Sequence, residues 1–248
     1  MSRVRDTIDR HPRGVKIGII FVVVLLIPLL VLGGLYVFGA YLFYDSYETT
    51  YNYELELSVD GQTEEIVIIA PAPVHNNSVT LGELSLWTSE NRVDDWESDI
   101  IETDHGPMLR ISISGVTGPD QLMFTSTVYS NRTIETKAPR GVEPVLSPLS
   151  DIEERDSSFE RRPDTRLYDS TSMMYAEHSG SDALTLDVVI RHEGANTWWT
   201  FGWSGNYYET YLTSFGVTPD SAGEWWEIRG DHREGVGSYA RFGPPLPR

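Results

Sequence analysis

The chain has 248 residues and a formal net charge of −18, with 37 acidic residues against 19 basic ones. A protein this acidic repels nucleic acid and anionic lipid, so we expect neither as a partner. The sequence contains no cysteine, which excludes disulfides, thiol chemistry and thiolate metal sites.

The composition resembles that of proteins from salt-loving organisms. Lys16 and Lys137 are the only lysines, against 17 arginines. Near 1 M salt the Debye length is about 3 Å, so repulsion among the many carboxylates is screened. We therefore interpret the chain as halophilic.

Residues 17–44 predict a single transmembrane helix. They form 28 consecutive uncharged positions, of which 19 are Ile, Leu, Val or Phe. At 1.5 Å per residue the run reaches about 42 Å, enough to cross the roughly 30 Å hydrocarbon core of a lipid bilayer. Aromatic side chains crowd its C-terminal end, as an interfacial belt does. They are Tyr36, Phe38, Tyr41, Phe43, Tyr44 and Tyr47.

The flanking charges predict the orientation of this helix. Residues 1–16 hold five basic and two acidic residues, and the next basic residue after the helix is Arg92. The positive-inside rule then makes 1–16 a cytoplasmic N-terminus and 45–248 an extracellular domain. A cleaved signal peptide is the alternative. It is disfavoured because the apolar run is too long and the nearest small-residue site, Phe38-Gly39-Ala40, begins with a bulky side chain.

Residues 45–248 predict an all-β domain. Apolar and polar residues alternate from Tyr53 to Val59, Asp60-Gly61 is a hairpin signal, and a return strand over 65–70 should end at Pro71. Further strands are expected at 79–87, 108–114, 122–130, 167–176, 183–191, 197–203, 207–213, 225–229 and 236–242. About ten short strands indicate an antiparallel sandwich or a barrel-like fold.

A segment rich in proline and acidic residues, 137–166, interrupts this pattern and is predicted to be a linker or an excursion. The sequence allows two small sandwiches, over 45–136 and 167–248, or one shared sandwich. The low number of strands in each half favours the single sandwich.

An aromatic-rich region provides the candidate binding residues. Five of the seven tryptophans lie between 198 and 226, with tyrosines among them. Such side chains suit a protein partner or a sugar ring, or they fill a β core. Neighbours in a strand point to opposite faces, so both members of a Trp-Trp pair cannot face one core. The candidate partner-binding residues are Trp198, Trp199, Trp203, Tyr207, Tyr208, Trp225 and Trp226.

No catalytic, cofactor or metal site is predicted. Histidines lie beside acids, as in His192-Glu193 and Asp231-His232, but none has the spacing of a metal motif. Two N-x-S/T sequons, at Asn76 and Asn131, predict N-glycosylation on the exported side.

These observations favour a membrane-anchored extracellular module that binds an envelope protein or a glycan, or serves a structural role in the cell envelope. We expect it to be non-enzymatic. The alternative is an anchored extracytoplasmic hydrolase that uses two carboxylates, because an all-β enzyme can place two acids across a cleft without any local motif.

The halophilic interpretation predicts that the β domain unfolds as salt is withdrawn, because the carboxylates then repel one another unscreened. Circular dichroism during a stepwise reduction of NaCl measures this. A domain that keeps its full stability at roughly 50 mM NaCl contradicts the interpretation.

Overall fold

The structure is a computed structural model that describes residues 13–89, 93–155, 165–180, 184–219 and 223–239, excepting the side chains of 13–19, 151 and 152. Most of the predicted cytoplasmic segment, residues 1–12, lies outside the described residues. The first described element is helix α1 (Arg13–Ser46). Its part from Ile20 to Ser46 is long and apolar enough to cross a membrane.

Thirteen strands follow in the described part of the chain. They are β1 (Glu48–Asp60), β2 (Gln62–His75), β3 (Ser78–Val79), β4 (Ser85–Thr88), β5 (Asp95–Thr103), β6 (Gly106–Thr117), β7 (Asp120–Tyr129), β8 (Val145–Ser147), β9 (Ser150–Arg155), β10 (Arg166–Ser179), β11 (Thr185–Trp199), β12 (Trp203–Val217) and β13 (Glu224–Gly237). The prediction of an apolar helix followed by an antiparallel, barrel-like β region is confirmed.

Ten strands form one curled antiparallel sheet, a half-barrel, in the order β4-β7-β1-β11-β12-β13-β10-β2-β6-β5. The short strands β3 and β8 pair with β2, and β9 pairs with β10. The sheet curls until its two ends face each other: the ring of Trp96 in β5 lies 5.3 Å from that of Phe124 in β7. Strands β10 to β13, from the second half of the chain, lie together between two groups of strands from the first half.

Period-2 burial explains these elements. Along β1 every second residue is buried, and β2, β6, β10 and β11 show the same alternation over much of their length. The curled sheet has two facing walls, one containing β7, β1 and β11 and the other containing β10, β2 and β6. Their buried side chains form one apolar core, which includes Leu55, Ile68, Ile111 and Val188. A half-buried strand places successive side chains on opposite faces, so the alternation in sequence sets which face lines the core.

The prediction that the strands before and after Asp60-Gly61 pair with each other as a hairpin is wrong. Gly61 has a φ of 125°, which a glycine adopts readily, and the chain turns tightly there. However, β1 pairs with β7 and β11, whereas β2 pairs with β6 and β10. The turn therefore carries the chain from one wall of the half-barrel to the other, because both strands bury a face in the same core.

Strand β2 also continues past Pro71, where we predicted its end. Its pairing with β10 stops at Ile69, so beyond that residue β2 has a partner on one side only, first β6 and then β8. A proline is tolerated where no neighbour needs its missing N–H. This explains how Pro71 and Pro73 remain within the strand.

The described residues of the segment 137–166 include both strands and buried side chains. It contributes β8 and β9, and Glu143 and Leu146 are each 1% exposed. Glu143 and Pro144 lie against the inner face of the sheet near the end where α1 joins it, in contact with Tyr51 and His192. We call this the proximal end, and the opposite end, which carries Asp60, Thr185 and Glu224, the distal end.

Candidate functional site

Helix α1 is seated directly on the sheet at the proximal end. One residue, Tyr47, separates the helix from β1. Phe43 is only 2% exposed, and its ring lies 5.6 Å from that of Trp198 in β11 and 5.5 Å from that of Tyr47. The Trp199 backbone N–H donates a 2.7 Å hydrogen bond to the Ser46 hydroxyl. The helix end is thus held by Trp198 and Trp199, which are far away in sequence.

The turn between β11 and β12 also lies against the helix. We call residues 199–203 the hairpin tip. The ring of Phe201 lies 6.3 Å from that of Phe38, and a Cβ added to Gly39 would lie 3.4 Å from a ring carbon of Phe201. Gly39 is buried at this contact. The small glycine on the helix therefore lets the hairpin tip approach closely.

Two buried amides hold the loop that follows β7 onto the sheet. Asn196 accepts a hydrogen bond from the Ile134 N–H (2.8 Å) and donates to the Ile134 carbonyl (2.9 Å). Asn196 also donates to the side-chain oxygen of Asn206 (2.7 Å), which accepts a further bond from Thr136 (3.0 Å). The Asn196 side chain pairs with the Ile134 backbone as a neighbouring strand would. It satisfies the Ile134 N–H and carbonyl, which burial would otherwise leave unpaired.

A buried glutamate, Glu143, sits at the centre of this loop. Its carboxylate accepts two bonds from the Arg132 guanidinium, both 2.7 Å, one from the Tyr51 hydroxyl (2.6 Å) and one from the Glu135 N–H (2.7 Å). Burial raises the pKa of Tyr51 above its usual value, and the neighbouring Glu143 raises it further. The carboxylate is fully satisfied, as a buried charge must be.

A second buried glutamate, Glu234, lies on β13 beside His232. The Arg140 guanidinium donates to it at 2.8 Å, and the His232 ring nitrogen lies 3.3 Å away. Burial alone would raise the pKa of Glu234, but the contacts with His232 and Arg140 outweigh it and lower that pKa. The other His232 nitrogen lies 2.8 Å from the Thr210 hydroxyl.

A second buried histidine, His192, lies on β11. Its two ring nitrogens each lie 3.0 Å from a backbone carbonyl oxygen, of Asn52 and of Pro144. Burial lowers the pKa of His192 to about 4, although both carbonyls oppose the shift. Tyr208 also donates to Pro144, and its ring lies over Gly194, where any Cβ would be 2.3 Å from a ring carbon.

Together these groups make a polar layer between the apolar core and the helix. Its threonine, histidine and glutamate side chains resemble the parts of a catalytic triad, but Thr210, His232 and Glu234 are at most 1% exposed. No substrate reaches them in this arrangement. Among the described residues, no group of three or more His, Asp or Glu side chains could hold a metal ion.

The structure separates the predicted aromatic residues into three places. Trp198, Trp199 and Trp203 lie at the proximal end beside α1. Tyr208 and Trp226 face the interior, Tyr208 in the polar layer and Trp226 packed against the apolar core. Tyr207 lies on the outer face of β12, and Trp225 lies at the distal end, 4.7 Å from the His105 ring. The two Trp-Trp pairs each split between a more buried and a more exposed member.

Both predicted sequons lie at the surface. Asn76 is exposed in the two-residue turn between β2 and β3, with a φ of 50°. Asn131 is exposed in the loop after β7, but Thr133 of the same sequon lies 3.1 Å from the Tyr47 hydroxyl next to the helix. Glycosylation of both remains a prediction.

The polar layer is not predicted from the sequence, although the sequence contains one signal for it. In the strand predicted over 183–191, period-2 alternation puts Leu184, Leu186, Val188 and Ile190 on one face. Extending that alternation by one step places His192 on the same inward face. A histidine at an inward position of an otherwise apolar strand indicates a buried polar contact, but its partners come from β1 and from the loop before β8.

No protein-family model, curated protein or solved structure matches this chain.

The low pKa of His192 makes stability depend on pH. The unfolded chain, with a histidine pKa of about 6.5, binds more protons than the folded protein between about pH 4 and pH 6.5. The His192 contribution to the free energy of unfolding is therefore complete above about pH 6.5 and is lost as the pH falls towards 4, by roughly 3 kcal/mol. We expect His192→Gln to flatten this part of the pH dependence, measured by denaturant unfolding of the full chain in micelles at constant ionic strength.

His105→Gln is the matched control, because His105 is exposed in the turn between β5 and β6. It should leave the slope unchanged. A wild-type slope that survives His192→Gln shows that other groups cause the acid sensitivity.

Proposed function

We propose that this chain is a single-pass membrane protein that holds a non-catalytic β module at the outer surface of a cell envelope, where the module binds another envelope protein or a glycan. The observation that carries the proposal is the packing of α1 on the sheet through Phe43, Trp198 and Tyr47. A helix seated in this way holds the module in a fixed orientation to the membrane, which suits a binding or structural role.

The same packing supports retention of the helix rather than its removal as a signal peptide. Cleavage after Ala40 would detach Phe38 and Gly39 from the hairpin tip, which both of them contact. A signal peptide has no reason to form part of the mature fold. The basic flank before α1 supports a cytoplasmic N-terminus, and the acidic composition with only two lysines supports a high-salt setting.

The outer face of β12 is the surface we assign to binding. Tyr207, Tyr211 and Phe215 share this face and alternate on it with Glu209 and Thr213. Tyr211 is 42% exposed and Phe215 is 68% exposed. The three aromatic residues span about 27 Å along the strand. Exposed aromatic side chains next to charged ones are typical of the centre and rim of protein interfaces.

One observation favours the alternative, a hydrolase that uses two carboxylates. Glu193 and Glu209 are direct cross-strand partners on the outer face, and burial raises the pKa of Glu193. However, the Arg191 guanidinium is ion-paired with Glu209 and lies 3.6 Å from Glu193. The single charge of Arg191 offsets one of the two negative charges and engages both carboxylates, so we rank catalysis second.

Photo-crosslinking tests the binding surface. Because the chain has no cysteine, purified Tyr211→Cys can be labelled at that site alone with a benzophenone reagent and then combined with native membranes. We expect a discrete crosslinked adduct of higher mass. Once the partner is identified, Tyr211→Ala should weaken binding by about 2 kcal/mol, or roughly thirtyfold, as loss of a central aromatic residue does.

Trp87→Cys provides the control, since Trp87 is a 52% exposed aromatic residue on the edge strand β4. Equal adducts from positions 87 and 211, or none from either, would count against the binding surface. A hydrolytic activity of the purified chain that Glu193→Gln and Glu209→Gln both abolish would establish the alternative instead.

A further inference from the structure

The hairpin tip lies level with the part of α1 that ends the predicted membrane crossing. Phe38, which the Phe201 ring contacts, precedes the helix end at Ser46 by eight residues, or about 12 Å of helix. A hydrocarbon core of about 30 Å that begins at Ile17 takes up about 20 residues of helix and so ends close to Tyr36. The hairpin tip therefore lies at the depth of the boundary between acyl chains and headgroups.

The chemistry of the hairpin tip suits this depth. Phe201 is 62% exposed and Trp203 is 74% exposed, so most of each large side chain is open to the surroundings even though part of the Phe201 ring packs on α1. No charged residue occurs between Gly194 and Tyr208, in a chain of which 23% is charged. Tryptophan favours the membrane interface, where its ring is buried among lipids while its N–H remains near water.

The backbone of the hairpin tip supports the same conclusion. Phe201 has a φ of 56°, in the left-handed region, where a bulky residue costs about 1–3 kcal/mol and a glycine costs almost nothing. Its neighbour Gly202 is not in that region. Phenylalanine thus occupies a position where glycine or asparagine would have less backbone strain. This indicates that the ring itself is needed.

We propose that the hairpin tip inserts Phe201 and Trp203 into the interfacial layer of the lipid bilayer, as a second membrane contact beside α1. The occupant of this surface is lipid because the surface is continuous with the membrane-spanning helix. With two points of contact, the sheet cannot swing about the helix axis. The proposal rests on α1 spanning the membrane, and goes beyond the proposed function in assigning part of the aromatic region to lipid.

Spin labels placed in the cysteine-free chain measure this depth. Gly202→Cys labels the hairpin tip without loss of an aromatic ring, and a Cβ there meets no atom within 4 Å. Gly33→Cys, equally open, is the reference within the membrane, and Thr218→Cys, exposed beyond the distal end of β12, is the aqueous reference. The full chain is reconstituted in phosphatidylcholine bilayers, and the accessibility of each label to oxygen and to a water-soluble nickel chelate is measured.

We expect the ratio of oxygen to chelate accessibility at residue 202 to be several-fold above that at residue 218 and nearer to that at residue 33. A ratio at 202 equal to that at 218 overturns the proposal. If residue 33 still reports lipid in that case, α1 spans the membrane and only the hairpin contact is lost. A label at 202 that neither reagent reaches shows that protein covers the tip, which also overturns the proposal.

A measurement that leaves the backbone unchanged gives a second test. Lipids brominated near the headgroup quench tryptophan fluorescence at short range, so Trp203→Phe should remove a large part of the quenched signal. Trp225→Phe, at the distal end, should remove none of it. Equal quenching in both variants and the wild type would contradict insertion of Trp203.

Discussion

The structure depends on the contact between the end of the apolar helix and strand β11. Because a single residue separates α1 from β1, the direction of the helix fixes the start of the sheet. Phe43 and Trp198 convert this short connection into a packed joint, and the Ser46 hydroxyl adds a hydrogen bond to the Trp199 backbone. A long polar linker would let a domain move freely above the membrane, whereas this joint fixes its orientation. The proposed binding face and the proposed lipid contact both follow from that orientation.

The kind of side chain that fills the interior changes with the distance from this joint. Towards the distal end the two walls of the half-barrel enclose aliphatic side chains, which the hydrophobic effect stabilises without regard to direction. Near the helix, hydrogen-bonded groups such as Asn196, Glu143 and His192 replace them. Such contacts are directional, and a buried polar group without its partner is costly. The polar layer therefore specifies one position for the loop that covers the proximal end, in a chain with no disulfide to hold it.

The sequence was sufficient for features that depend on local periodicity. The uncharged run of 28 residues predicted the helix, and alternation such as that from Tyr53 to Val59 predicted the strands and their inward faces. It was insufficient for features set by contacts between distant segments. The turn at Asp60-Gly61 has the sequence of a hairpin, but burial of both strands in one core overrides local pairing. Likewise, His192 finds its partners in Asn52 and Pro144, which no local pattern connects to it.

The central claim is that helix and sheet move as one body, and a distance distribution between two spin labels tests it most directly. Labels at Gly33→Cys in α1 and Thr127→Cys on the exposed surface of β7 lie about 40 Å apart along the axis of the molecule. The joint predicts one narrow distribution in bilayers. The distribution should broaden in the Phe43→Ala variant and stay narrow in Tyr41→Ala, a control at a helix residue that is 60% exposed. A broad distribution in the otherwise unaltered chain would show that the domain is loosely tethered and would contradict the account.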